Sequence, residues 1–467
     1  MLNFEVVKRK LSCYVGRLQR ALRRHRRRYG TLTDVPKLQR LSSATSLGDL
    51  PVEVFHQILA TLQDGRDADT IATCSLVSRR WRAVALPYLF SVVTIREKAD
   101  FDDFLDFVAN APHICWCIRT LTLTGGGDGG ARLDCSAFSA LFPSLTRLRQ
   151  LFLEALTLQV TAIDNHRSEG DRHITSFTWL EALEVYDVRC EDSKERRLPV
   201  IPAILDMLPV SSVHLLRFDG LGDVEDNTHT DFHVGIPSRT IEIRHLSVVA
   251  LDGAATAAYL VLYEKLIRVG SLGSLSIFCQ TWADAEQLAA FLLVQGSSIT
   301  TVDLDITSLM EQEQQHAQLP RRRWQRLAEA LCACTNMSSL RLHVPWNGSL
   351  VHPGYSVFTD MFSVSLPRTL REFQIWLKLP EDWMPEYEHT TSNELWDLPT
   401  LDMKLCDRER FPDLQHVLVT IQTDPLLAPW CVYELVEHIE EEVWPRVDGR
   451  GLLSFQWYRQ PVSYEEE

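Results

Sequence analysis

Along most of this chain the apolar residues fall into one short form, apolar-x-x-apolar-x-apolar. It appears as Ile118/Leu121/Leu123, Leu148/Leu151/Leu153, Leu180/Leu183/Val185, Val213/Leu216/Phe218, Ile243/Leu246/Val248 and Leu272/Leu275/Ile277. It continues as Ile299/Val302/Leu304, Met337/Leu340/Leu342, Leu370/Phe373/Ile375, Leu414/Val417/Val419 and Leu452/Phe455/Trp457. In a chain that is 45% hydrophobic, three fixed positions match by chance in about 9% of windows, so one occurrence carries little. The spacing carries more. The middle residues stand at 121, 151, 183, 216, 246, 275 and 302, with six gaps of 27 to 33, and later gaps are 38, 33, 44 and 38. Self-similarity at this period marks a stacked array. The last two apolar positions alternate with the residue between them, as a short strand with one buried face requires. Leu121, Leu151, Leu183, Leu246 and Leu275 are therefore expected, fully buried, on adjacent parallel strands. Thr122, Phe152, Glu184, Ser247 and Ser276 should point to the opposite, concave face.

Helical periodicity fills the intervals, most clearly over Ala254–Val269, Ala283–Val294, Arg321–Cys334 and Trp430–Val443, and more briefly over Cys135–Leu141 and Ile201–Leu208. Ser91–Ile95 is β-branched and strand-like, and Phe101, Phe104, Leu105 and Val108 mark a helix starting near Asp100. Each strand–helix unit cannot bury both of its faces alone, so neighbours must stack. The expected fold class is α/β, with parallel strands on a concave face and helices outside. This resembles an irregular leucine-rich-repeat solenoid without the asparagine ladder of stricter families. The competing architecture is a compact α/β domain with a parallel sheet. Two stretches depart from the array: polar His166–Arg172, and an insertion at 381–410 carrying Trp383, Tyr387, Trp396 and many acids. An aromatic, acidic insertion reads as a contact loop or as a solvated one.

Leu47–Phe90 follows a different rule. Asp49-Leu50-Pro51 suits a helix start, because the proline's missing N–H would be unpaired there anyway. Val54, Phe55, Ile58, Leu59 and Leu62 then form one apolar face. Gln63–Asp67 interrupts it, and Ile71, Cys74, Val77, Trp81 and Val84 resume it. Ser78 can cap a new turn there, and Pro87 is expected to stop the helix. Two or three short helices with more apolar surface than they can bury among themselves need a partner.

Leu50-Pro51-x-Glu53-Val54, Ile58, Leu62 and Cys74-Ser75-Leu76-Val77-Ser78-x-x-Trp81-Arg82 resemble an F-box. The tail Ala85–Phe90 is similar to that of the mushroom-type fungal F-box family. The resemblance implies docking on a Skp1-like adaptor and, through it, on a cullin–RING ubiquitin ligase. It matches Leu50, Pro51, Val54, Ile58, Leu76, Val77 and Trp81 to the family's motif. Leu50, Pro51, Val54, Ile58 and Leu76 are the expected adaptor-facing residues, and Trp81 is expected to pack the F-box itself. The implied domains are a basic tail at 1–46, the F-box at 47–92 and the solenoid at 93–467.

Charge sharpens this division. The net charge is −15, yet residues 1–40 hold twelve Lys/Arg against Glu5 and Asp34, so the rest of the chain carries −25. An acidic body argues against nucleic-acid binding as the main function. The arginine run Arg17–Arg28 beside Phe4, Val7, Leu11, Tyr14, Val15, Leu18 and Leu22 reads as a solvated, partly helical tail, a nuclear-import signal or a membrane-surface helix. No run of 18 apolar residues and no apolar leader core is seen, so a cytoplasmic and/or nuclear protein is expected. The 11 cysteines lack framework spacing and read as reduced, mostly buried small residues, with no zinc site expected.

Gly125, Gly127 and Gly130 spell G-x-G-x-x-G after a strand, with Glu154 downstream. A pyrophosphate site needs its helix to begin inside the glycine run. Ala131-Arg132-Leu133-Asp134 intervene, and Asp134 is the better helix cap. The stretch reads as a flexible loop. There is no P-loop, H-E-x-x-H or G-x-S-x-G. No Cys–His pair stands out as a catalytic centre, and His245 and His343 fall within strands. The expectation is a non-catalytic substrate-receptor subunit of an SCF-type ligase, without cofactor or metal, whose array binds a target protein. The alternatives are an F-box scaffold acting outside a ligase and a nucleotide-binding enzyme using Gly125–Gly130.

Overall fold

The computed structural model describes residues 52–64, 68–96, 98–125, 131–160, 179–192, 197–198, 200–208, 210–219, 240–249, 255–315, 322–345, 361, 366–379, 398–423 and 429–459. The basic tail, Leu50 and Pro51, and Trp383, Tyr387 and Trp396 of the expected contact loop lie outside them. Two compact units divide the chain: residues up to Val92 with Ala99–Ile118, and Val93–Lys98 with Arg119–Glu467.

The larger unit is built on an open 12-stranded sheet whose order follows the chain, one strand per repeat. Leu121 pairs with Leu151, Leu151 with Leu183, Leu183 with Leu216, Leu216 with Leu246 and Leu246 with Leu275, all in parallel. The same register carries on through Val302, Leu340, Phe373 and Val417. Every residue of this row is buried, while Thr122, Phe152, Glu184, Ser247 and Ser276 are half-buried on the other face. The register is fixed because a slip by one residue would put the whole leucine row in water. The fold is therefore α/β with a large parallel sheet.

Helices close the leucine face. Trp282–Gln295 packs between Ala255–Leu266 and Arg322–Cys332. Tyr263, Leu288, Phe291, Leu292, Trp324 and Leu331 are buried there, with the Trp282 and Trp324 rings edge to face at 4.8 Å. A buried carboxylate ties two of these helices together. Asp284 caps its own helix through Thr281, accepting from the Thr281 N–H at 2.8 Å and the Thr281 hydroxyl at 3.0 Å. It also accepts from the Gln280 N–H at 3.1 Å and, on its other oxygen, from the Ala257 N–H of the preceding helix at 2.9 Å. Burial pushes its pKa up, and these donors pull the other way. In Asp284→Asn an NH2 group replaces one acceptor and faces N–H donors. The expected loss is about 1–3 kcal/mol, the cost of leaving buried donors unsatisfied. It is read as a lower urea midpoint at unchanged slope; an unchanged midpoint would count against the bridge.

A second sheet of four strands was not legible in the sequence: Ala131–Asp134, Leu156–Val160, Arg189–Asp192 and Arg197–Leu198. Three stacked corners turn the chain into it, at Gly125, Ala155 and Asp187. The Gly125 N–H donates to the Glu154 carbonyl at 2.8 Å, the Ala155 N–H to that of Tyr186 at 2.9 Å and the Asp187 N–H to that of Asp219 at 2.9 Å. Ala155 and Asp187 take positive φ, at 49° and 44°. A side chain on Gly125 would put Cβ 1.8 Å from the Ala155 carbonyl oxygen, so glycine is required by close approach.

Part of the 381–410 insertion belongs to the core. Leu398–Leu405 is a helix with Leu401 and Leu405 buried. Its Asp402 accepts from the Val447 N–H at 2.8 Å and the Arg446 N–H at 3.3 Å, holding the start of Pro445–Gly449.

Candidate functional site

The smaller unit contains α1 (Val52–Asp64), α2 (Ala68–Ser75) and α3 (Arg79–Leu89). Phe55 and Leu59, a turn apart on α1, are fully buried against Ile71, Trp81 and Ala85. The Phe55 and Trp81 rings lie 4.1 Å apart, and the Arg80 guanidinium sits 5.3 Å from the Phe55 centroid. Ser78 caps α3, its hydroxyl accepting from the Trp81 N–H at 3.2 Å. The Tyr88 hydroxyl donates to the His56 carbonyl at 3.3 Å and meets His56 Nδ1 at 2.9 Å, tying α3 to α1. Gln63 Nε2 donates to the Ser91 hydroxyl at 2.7 Å, and Ser91 donates to the Tyr88 carbonyl at 3.0 Å. Pro87 does not stop α3, which runs to Leu89. A proline near the last turn keeps helical φ and forgoes one backbone bond.

This core leaves apolar side chains in water. Ile58 is 38% exposed, Leu76 58%, Val77 57% and Val52 37%. Of the expected adaptor-facing residues, Ile58 and Leu76 are thus exposed, Val54 is half-buried beside the core face, and Leu50 and Pro51 lie outside the described residues. Trp81 is buried at 5% exposure, inside the unit. The periodicity drew one apolar helical face through Ile71, Cys74, Val77, Trp81 and Val84. The structure corrects this: α2 ends at Ser75, and Leu76 and Val77 form a turn whose N–H groups donate back to Thr73 and Cys74. Two large apolar residues at an exposed turn were the available signal, since turns usually carry polar ones.

In the larger unit the second face of the sheet carries a polar and aromatic network. Asp303 bonds Arg341 at 3.1 Å and His343 at 2.8 Å, and Arg341 Nε donates to Gln374 at 2.8 Å. Arg341 lies 5.2 Å over the Trp376 ring, and His343 stacks on the same ring at 4.9 Å. On an earlier pair of strands His214 and His245 meet edge to face at 4.6 Å. Burial, then the His214 charge, lowers the His245 pKa. The period-2 alternation foretold the face; the partnership of residues 303, 341, 343, 374 and 376 depends on register and could not be read from the chain.

The nine cysteines whose side chains are described are free thiols. Burial pushes Cys135 and Cys334 up to about 12, so they stay protonated at neutral pH. Among the described residues, the strand Ala131–Asp134 is the next element after Gly125. The helix Cys135–Leu141 is capped by Asp134, which accepts from the Ser136 N–H at 2.8 Å. Gly126–Gly130 lie outside the described residues. Among the described residues no group of three or more His, Cys, Asp or Glu is placed to hold a metal ion, and no helix is long and apolar enough to cross a membrane.

Comparison with protein families finds one likeness, and it spans α1–α3. Residues 47–96 match the family model described as F-box-like. None of the curated proteins compared matches the chain.

Proposed function

We propose that the chain is a non-catalytic substrate-receptor subunit of an SCF-type ubiquitin ligase. The F-box-like unit would dock on a Skp1-like adaptor, and the larger unit would present a target to the cullin–RING assembly. The observation that carries this reading is the exposure of Ile58, Leu76 and Val77 on the domain that matches the F-box-like family. Apolar side chains exposed on a small helical unit favour a protein partner. The larger unit reads as an irregular leucine-rich-repeat-like array, supported by one parallel strand per repeat in chain order. The Ala85–Phe90 tail favours the mushroom-type fungal F-box family. No catalytic residue is assigned, because ubiquitin transfer would be done by the partner complex, and the raised thiols are poor nucleophiles.

Affinity capture of the chain from cells with the proteasome inhibited tests the assignment. Recovery of both the adaptor and a cullin, with ubiquitinated proteins enriched, is expected. Recovery of the adaptor without a cullin would favour a scaffold acting outside a ligase.

A further inference from the structure

The buried row of the large sheet comes to the surface at the strand Leu453–Arg459. Leu453, Phe455 and Trp457 stand in register beside Val417, Val419 and Ile421. Those three inner residues are buried, yet Leu453 and Phe455 are half-buried and Trp457 is 37% exposed. The sheet order gives the reason. Leu453–Arg459 is the outermost strand, with no further strand beside it among the described residues. The Trp457 indole is nevertheless held in place, its Nε1 donating to the Thr423 hydroxyl at 2.9 Å.

The backbone on this edge is set for a partner. The Val417 N–H donates to the Leu452 carbonyl at 2.9 Å. Backbone groups along a strand point alternately to its two sides, so Ser454, Gln456 and Tyr458 turn theirs to His416–Thr423. Leu453, Phe455, Trp457 and Arg459 turn theirs outward. Natural edge strands are guarded by shortness, charge, proline or bulges. The opposite edge of the sheet follows that rule, with the four-residue strand Val92–Ile95 followed by Arg96, Glu97 and Lys98. Leu453–Arg459 has seven residues, no proline, no acid and a single charged residue, Arg459.

We propose that this edge pairs with the same edge of a second copy, antiparallel about a two-fold axis at Gln456. In that register Phe455 lies opposite Trp457 of the partner subunit, Ser454 opposite Tyr458 of the partner subunit and Leu453 opposite Arg459 of the partner subunit. Aromatic side chains meet on the leucine face and polar ones on the other. An axis perpendicular to the sheet keeps the two leucine faces on one side. Charge favours a second copy. In a body that is acidic beyond residue 40, this strand holds no acid, so the pairing opposes no like charges. A foreign strand would have to match both the length and the aromatic positions, whereas a copy does so by symmetry. A strand pair of this length buries on the order of 1,000 Å² or less, the low end for a specific interface, so the dimer exchanges with monomer on dilution. The pairing uses neither the F-box-like unit nor a target, and stands apart from the receptor reading.

Sedimentation velocity of the full chain over about a hundredfold dilution tests it, with monomer and dimer in concentration-dependent exchange expected. Gln456→Lys and Gln456→Glu each set like charges opposite one another on the axis and should weaken the dimer about fivefold. An equal mixture of the two variants should restore it, a recovery that misfolding cannot imitate. Phe455→Pro removes an outward N–H while leaving the bonds to His416–Thr423, and should abolish the dimer. Hydrogen exchange should show the Phe455 and Trp457 amides gaining protection as concentration rises. A chain that is monomeric at every concentration, or a dimer that ignores all three substitutions, overturns the proposal. Species that grow beyond the dimer overturn the two-fold axis in favour of pairing with the Val92–Ile95 edge. Protection of Phe455 and Trp457 that is independent of concentration overturns it in favour of a segment of the same chain.

Discussion

Trp81→Ala is expected to destabilise the α1–α3 unit by about 3–5 kcal/mol, the usual cost of deleting a buried tryptophan. The reason is the poverty of the core. Among the described residues, Phe55, Leu59, Ile71, Trp81 and Ala85 are the buried apolar residues of these helices, and Trp81 is the largest. Removing it strips the 4.1 Å ring contact from Phe55 and leaves a cavity that three short helices cannot close by shifting. Whole domains are stable by only about 5–15 kcal/mol, so a loss of this size can unfold a unit this small. Hydrogen exchange should show amides of residues 52–64 and 68–89 losing protection, while the helix Trp282–Gln295 in the other unit keeps its own. Trp81→Phe should restore much of the protection. Wild-type protection in Trp81→Ala would refute the packing described.

The second large effect concerns the surface. The double substitution Ile58→Asp with Leu76→Asp should leave the helices folded, because both side chains lie at the surface and outside the Phe55–Leu59–Trp81 core. It should nevertheless lower affinity for a Skp1-like adaptor by about a thousandfold, taking about 2 kcal/mol or more for each central apolar anchor. Burying two carboxylates against an apolar partner adds a desolvation cost on top. Circular dichroism should match the wild type, and calorimetric titration should show the loss. A folded double variant that binds normally would place the contact elsewhere on the chain.

The leucine row of the large sheet was legible because burial of one strand face imposes period 2, and stacking imposes a near-constant repeat length. The helices at Ala255–Leu266, Trp282–Gln295 and Arg322–Cys332 were legible from their apolar stripes. The four-stranded sheet was not, because its corners use Ala155 and Asp187 at positive φ, where glycine or asparagine would have announced a turn. In the F-box-like unit, Trp81 and Ser78 take the places their residue types suggest. Val77 leaves the helical face drawn from Ile71 to Val84, because α2 ends at Ser75 and the period does not carry across the turn before Ser78. The pairing of Arg119 with Arg149 was equally hidden. Arg119 and Arg149 are thirty residues apart in sequence and become neighbours only through the rung-by-rung register.

The claim on which the rest depends is that α1–α3 dock on a Skp1-like adaptor. Hydrogen exchange of the full chain, with and without a saturating purified adaptor, tests it most directly. Added protection confined to residues 52–64 and 68–89, strongest in α1 and around the Leu76–Val77 turn, is the expected result. A complex that protects only the large sheet, or no complex at all, would contradict it.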